Sequence, residues 1–393
     1  MKRKEYRKCL RSVGLILIAV RMLTVFALPI RATTEAVDSV PLTLDCPSAI
    51  LMEASTGEVL FEQNPDAVCP PASITKIMTL LLVMEAIERN TLRLDDMVTA
   101  SAHASSMGGS QIYLKEGECM SVEDMIKSVV ISSANDAALA LAEHLCGSEE
   151  TFVAKMNEKA RELGMKNTHF ENTNGLDDTV ENHLTTARDV ALMSRALIAH
   201  PLILKYSSIW MDTIRDGTFG LTNTNRLIRF YPGATGLKTG STSKARFCIS
   251  ATAQRDGMSL ICVIMGADTR DIRNEAAKKL LDWGFANYEM YVAPIRDVGT
   301  VPVRAGTEAE CGVEYTPFSR VVPKGTASTV EEVYDLPEYI IAPIVKGQRI
   351  GGISYRIGDR TLGQVELVSQ KDIERVGFGG LFMRLLRCFV GKY

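Results

Sequence analysis

Nine cysteines occur in this 393-residue chain without a single Cys-x-x-Cys pair, which removes the patterns of zinc ribbons and thioredoxin-like dithiols. The five histidines, at 103, 144, 169, 183 and 200, form no His-Glu-x-x-His motif, and no serine sits in a Gly-x-Ser-x-Gly elbow. Zinc-hydrolase and α/β-hydrolase chemistry therefore lack their residues, and neither a metal nor another cofactor is expected. Positive charge is also scarce. The formal charge is −3, and beyond residue 32 the chain holds 36 basic against 46 acidic residues. Neutralising phosphates needs a basic face, so a nucleic-acid partner is excluded. Glycine (29 residues) and proline (14) stay far below collagen-like or low-complexity levels, leaving a globular protein long enough for two domains.

The amino terminus reads MKRKEYRKCLR, six basic residues with one acid, followed by an apolar stretch broken once by Arg21. This pattern predicts a secretory signal over residues 1–32, with Ala27 and Ala32 as cleavage points. The short apolar core with an arginine inside it disfavours a stable spanning helix, an uncleaved anchor being the alternative. Either way the bulk of the protein is expected outside the cytoplasmic membrane. Residues 33–45 are small and polar and read as a linker. Export permits disulfides, yet Cys146, Cys248 and Cys262 lie in apolar stretches where free cysteine serves as a small core residue, so no pair is assigned.

Two apolar runs around Ser55-Thr56-Gly57 predict a β-hairpin, and two more around Asp256-Gly257 predict another. Helical spacing runs from Ser73 to Arg89, from Val122 to Leu145 around an Ala-rich centre, over 149–163 and 185–199, and from Asn274 to Tyr288. From Val292 to Gln370 the texture changes to short Val/Ile runs with close Gly and Pro, which predicts a small all-β unit. Three segments follow: 46–290, 291–370 and 371–393. In the last, Phe378, Leu381, Phe382, Leu385, Leu386, Phe389 and Val390 share one helical face, with Arg375, Arg384, Arg387 and Lys392 off it. That is the pattern of an amphipathic helix lying in an anionic membrane surface, the alternative being a helix packed on the β unit.

One constellation carries chemistry. In PPASITKIMT, Ser73 and Lys76 are three residues apart at the start of an apolar helix, hence on one face. A serine hydroxyl needs a base, and a neutral lysine amine can serve if burial and nearby cations lower its pKa from about 10.4 towards about 7. Ser-x-x-Lys alone is weak, since it recurs at Ser241–Lys244, and a plain helix cap would account for Ser73. Further on, Ser133-Ala134-Asn135 opens an Ala-rich helix, and Lys238-Thr239-Gly240 precedes the second hairpin. Taken singly, these could be a helix cap and a solvated turn lysine.

Ser-x-x-Lys, Ser-x-Asn and Lys-Thr-Gly in this order form the signature of penicillin-binding proteins and serine β-lactamases. From about Ser48 onward the chain resembles the low-molecular-mass D-alanyl-D-alanine carboxypeptidases, in ILMEASTGEVLFEQN, GSQIYL at 109–114 and NTNGLDD at 172–178. The resemblance implies a mixed α/β catalytic domain with a five-stranded antiparallel sheet flanked by helices, a small β-sandwich domain and a terminal amphipathic anchor. It implies removal of the terminal D-alanine from peptidoglycan stem peptides, with β-lactam antibiotics as covalent inhibitors. Ser73 would be the nucleophile, Lys76 its base and Ser133 a proton relay to the leaving amine. Asn135 would bind the substrate amide and position Lys76, and Lys238 would supply a fixed positive charge. Thr239 would bind the terminal carboxylate, with Gly240 beside it and the backbone N–H groups of Ser73 and Ser241 forming the oxyanion hole. The expected location is extracytoplasmic, peripheral on the outer face of the cytoplasmic membrane.

A β-lactamase would share the acylation residues, but Glu171 lacks the Glu-x-x-x-Asn setting of a deacylating glutamate. A transpeptidase would share the whole signature. A non-catalytic wall-binding or antibiotic-sensing protein would not need Ser73, Lys76, Ser133 and Lys238 together. One departure from the family is Arg246, where many relatives carry a small residue.

Overall fold

The computed structural model describes residues 42–390; the expected signal and most of the linker lie outside them. Five strands build the central sheet: β1 (Ser48–Glu53), β2 (Val59–Gln63), β3 (Ala234–Thr242), β4 (Arg246–Arg255) and β5 (Met258–Ala267). Their order is β2-β1-β5-β4-β3, every pair antiparallel. Both predicted hairpins form. At the β4–β5 turn Asp256 and Gly257 both take positive φ, 49° and 77°, the twist that a two-residue hairpin demands.

The long Val/Ile runs of β5 are explained by burial on both faces of the sheet. Ile261, Val263 and Met265 join the main core with Ile77, Val190 and Met193. On the opposite face the Cys262 thiol meets the Ala277 carbonyl, and a Cβ on Gly284 would touch Leu51 and Leu260. Helices α1 (Lys76–Glu88), α2 (Val122–Ile131), α3 (Asn135–Cys146), α4 (Glu149–Glu162) and α5 (Ala187–Ile198) supply the first side, and α6 (Arg270–Asn287) covers the second. Ser121, Ser148, Thr186 and Thr269 cap α2, α4, α5 and α6 with their hydroxyls.

The helical spacing over Val122–Leu145 resolves into two helices, the second opening beside Ser133 as expected. The chain breaks after Ile131, Ser133 takes φ 62°, and α3 starts afresh at Asn135. Apolar periodicity runs through the break because both halves are buried, so the pattern alone gives no sign of it.

Helix α6 passes directly into β6 (Tyr288–Val292), the first strand of the β unit. There follow β7 (Thr300–Arg304), β8 (Glu310–Glu314), β9 (Ser319–Pro323), β10 (Glu331–Asp335), β11 (Ile340–Ile341), β12 (Arg349–Ile357) and β13 (Arg360–Ser369). The order β10-β12-β13-β8-β7-β11 makes a six-stranded sheet, and β6 pairs with β9. Tyr291 and Val322 from the pair share a core with Val301, Val313, Ile353, Tyr355 and Leu367 from the sheet, which makes the unit a sandwich.

Helix α7 (Phe378–Val390) starts later than the 371–393 segment expected for it. Residues 371–377 belong to the β unit, where Ile373 pairs with Ile344 and is buried. On α7, Phe378, Leu381, Phe382, Leu385 and Phe389 stay exposed rather than packing on the β unit, while Arg384 donates to the carbonyls of Gly306 and Thr307. No described helix is long and apolar enough to cross a membrane.

Candidate active site

The segment after Pro70-Pro71 forms a short 3-10 turn, Ala72–Thr75, and only then an α-helix beginning at Lys76. His183 braces this turn. Burial lowers its pKa to about 4, so the ring is neutral. The Glu171 N–H donates to Nδ1, which leaves Nε2–H for the Thr75 hydroxyl, and that hydroxyl donates to the Ala72 carbonyl.

Lys76 is wholly buried. Its Nζ lies 2.9 Å from Ser73 Oγ, 2.5 Å from Asn135 Oδ1 and 2.8 Å from the Asn174 carbonyl. Burial first, and the charge of Lys238 second, push its pKa well below the ordinary lysine value, against the opposing pull of Asp136. A neutral amine has two N–H donors and one lone pair. In that form the two carbonyl oxygens would take both donors and leave the lone pair to the Ser73 hydroxyl, the arrangement a general base needs.

Ser133 and Lys238 form the second pair, Lys238 Nζ donating to Ser133 Oγ at 2.8 Å and to the Thr239 carbonyl at 2.9 Å. The break between α2 and α3 is what turns Ser133 towards Lys238. Burial, then the charge of Arg273, bring the Lys238 pKa to about 7. This corrects the expectation of a fixed charge: in the free site Lys238 is itself a titrating group. Asn135 also differs from expectation. Its Oδ1 holds Lys76, but its Nδ2 donates to the Gly108 carbonyl at 2.7 Å instead of pointing free for a substrate amide.

Strand β3 closes the site because Gly240 has no side chain: a Cβ there would stand 2.9 Å from the Pro71 carbonyl oxygen and 3.0 Å from the Ser73 nitrogen. The Thr239 hydroxyl donates to Thr224. A cleft of about 180 Å³ remains, lined by Ser73, Ser110, Ser133, Thr224, Thr239, Gly240, Ser241, Arg270 and Arg273. All eight residues singled out in the sequence thus lie at the cleft or bond directly to a residue that does.

Several participants carry no motif. Asn174 acts through its carbonyl, and the loop around it is held against α1 by Thr79, whose hydroxyl donates to Thr173 O at 2.6 Å. Gly175 at φ 86° leaves room for Ala72. Asp136, fully buried, accepts from the N–H groups of Ile112, Leu114 and Ala137 and so holds the 109–114 segment that carries Ser110. Arg273 donates to Asn274 Oδ1 and the Cys248 carbonyl, and burial lowers its pKa to about 10, leaving it charged at neutral pH. Glu171 accepts from the Asn182 N–H and does not line the cleft. Arg246 is exposed and paired with Asp268, beside a neighbouring hollow that shares Ser241. The seven cysteines described are all free, and no described group of His, Cys, Asp or Glu could hold a metal.

A family profile described as D-alanyl-D-alanine carboxypeptidase matches residues 33–269, and one described as penicillin-binding protein 5, C-terminal domain, matches 296–375. The chain is 40% identical to the D-alanyl-D-alanine carboxypeptidase DacF of Bacillus subtilis over 94% of its own length and 96% of that protein's. Penicillin-binding protein 5 from Haemophilus influenzae superposes with a TM-score of 0.76 at 32% identity, over 85% of this chain and 99% of that one. Penicillin-binding protein D2 from Listeria monocytogenes, solved in an ampicillin-bound form, superposes at 0.57 with 35% identity, over 62% of this chain and 99% of that one.

Proposed function

The chain belongs to the D-alanyl-D-alanine carboxypeptidase family, and on that premise we propose that it removes the terminal D-alanine from peptidoglycan stem peptides through an acyl-enzyme on Ser73. The observation that carries this reading is the buried Ser73–Lys76 pair, Nζ lying 2.9 Å from Oγ and held from its other sides by Asn135 and Asn174.

In this mechanism Lys76 Nζ takes the Ser73 proton as Oγ attacks the carbonyl between the two D-alanines. The backbone N–H groups of Ser73 and Ser241 hold the oxyanion, and Gly240 allows them to converge. Thr239 and Arg273 bind the terminal carboxylate, whose negative charge favours protonated Lys238. Ser133, bonded to Lys238, passes a proton to the leaving amine and is refilled by the proton that Lys76 took from Ser73, so that Lys76 is neutral again as the C–N bond breaks to release D-alanine. Lys76 then draws a proton from water, which attacks the acyl carbonyl and frees Ser73. A β-lactam would enter by the same acylation and leave slowly.

The substrate polymer lies outside the cytoplasmic membrane, in keeping with the basic and apolar amino terminus. We place the catalytic domain at 46–287 and the β-sandwich at 288–377, with α7 resting its exposed Phe/Leu face in the membrane surface. The test is mass spectrometry of the full chain and Ser73→Ala with diacetyl-L-Lys-D-Ala-D-Ala and with penicillin. Free D-alanine and a slowly lost penicilloyl adduct on Ser73 are expected. Rapid penicillin turnover without D-alanine release would instead mark a β-lactamase, and neither adduct nor product would mark a binding protein.

A further inference from the structure

Helix starts favour acidic side chains, because the unpaired N–H groups there carry partial positive charge. The first turn of α6 runs against this: Arg270 and Arg273 both lie in it, with Asp271 as the acidic residue. Arg226, in the turn just after Thr224 and Asn225, adds its field to that of Arg270 on Arg273. Arg273 is buried, but Arg226 and Arg270 are exposed, and among the described residues neither is paired with a carboxylate. Arg246, also exposed, does find a partner in Asp268. Arg270 lines the cleft itself. Together with buried, titrating Lys238, this end of the site gathers three arginines against Asp271, on a chain whose excess charge beyond the amino-terminal segment is negative.

Such an accumulation is unfavourable without an anion. The leaving D-alanine carries the substrate's carboxylate, so this end of the cleft is the leaving-group side. We propose that Arg226 and Arg270 are specificity-determining residues: an outer pair that draws in and selects a leaving group bearing a free carboxylate, above the inner contacts of Thr239 and Arg273. The inference rests on the acyl-transfer reading given above. Being solvent-exposed, the pair acts at longer range than Arg273 and is screened by salt. Its effect belongs in capture of the substrate more than in the bond-breaking step.

The experiment uses the full chain and two thioesters sharing one acyl group, one releasing mercaptoacetate and the other ethanethiol. The wild-type chain is expected to prefer the mercaptoacetate donor, with a kcat/KM that falls as salt is added. In the R226Q/R270Q variant that preference narrows by about tenfold through KM, kcat stays within about twofold, and the salt dependence flattens. The ethanethiol donor reports any general damage to the site. An unchanged preference, or equal losses on both donors, overturns the proposal. Turnover of neither donor by the wild-type chain overturns the acyl-transfer reading and the outer pair with it, whereas failure of the pair alone leaves wild-type turnover intact.

Discussion

The missing side chain of Gly240 is what lets strand β3 touch the backbone nitrogen of Ser73, at a spacing where even a methyl group would meet it at 3.0 Å. The nucleophile and the strand beside it are therefore positioned by contact rather than by a hydrogen bond. Gly240→Ala is expected to push the strand from the 3-10 turn, lowering D-alanine release at least tenfold at a stability cost of about 1–3 kcal/mol. Steady-state assays beside thermal unfolding check this; a variant as active as the parent would show the contact to be slack.

The arrangement of acceptors around Lys76 makes a signed prediction for Asn135. Replacing the amide oxygen by a carboxylate, Asn135→Asp, favours the charged lysine and raises its pKa. The acid limb of kcat/KM should move to higher pH. Asn135→Ala removes an acceptor for the lysine's proton and should slow acylation by about a hundredfold. Rates of penicilloyl adduct formation across pH measure both.

Buried lysines also set the pH dependence of folding. The Lys238 pKa is about 7 in the folded chain against 10.5 for an ordinary lysine, so the unfolded chain binds more protons between those values. Stability contributed by this group therefore rises with pH across that window and is lowest below about 7. Lys238→Met is expected to raise the melting temperature at pH 6 more than at pH 9, while abolishing activity. A gain that is the same at both pH values would mean that Lys238 is not carrying the burial cost.

Removing residues 377–393 should release the protein from anionic vesicles in co-sedimentation and leave turnover of a small peptide unchanged. The exposed Phe/Leu face of α7 has no other role in the described structure. Continued tight vesicle binding would assign the attachment elsewhere.

The motif residues were legible because chemistry demands their types and spacings: a hydroxyl and an amine three residues apart, then Ser133, Asn135 and Lys238 at recognisable intervals. The family resemblance, the central sheet and the β-rich second unit were read from the same text. What escaped has physical reasons. Asn174 works through a main-chain oxygen, which any residue owns, and Arg273 sits in a helical turn with no motif. The helix start beside Ser133 was legible, but the left-handed turn of Ser133 itself was not, since apolar burial continues on both sides of it. Ile373 falls inside the 371–393 segment expected as an anchor, but its pairing with Ile344 commits it to the β unit.

The β unit has its own core and lends no residue to the cleft. Catalysis is thus indifferent to how tall that unit is. With α6 leading into it and α7 following it, the unit is expected to tolerate changes in its own strands without cost to the groups that break the peptide bond.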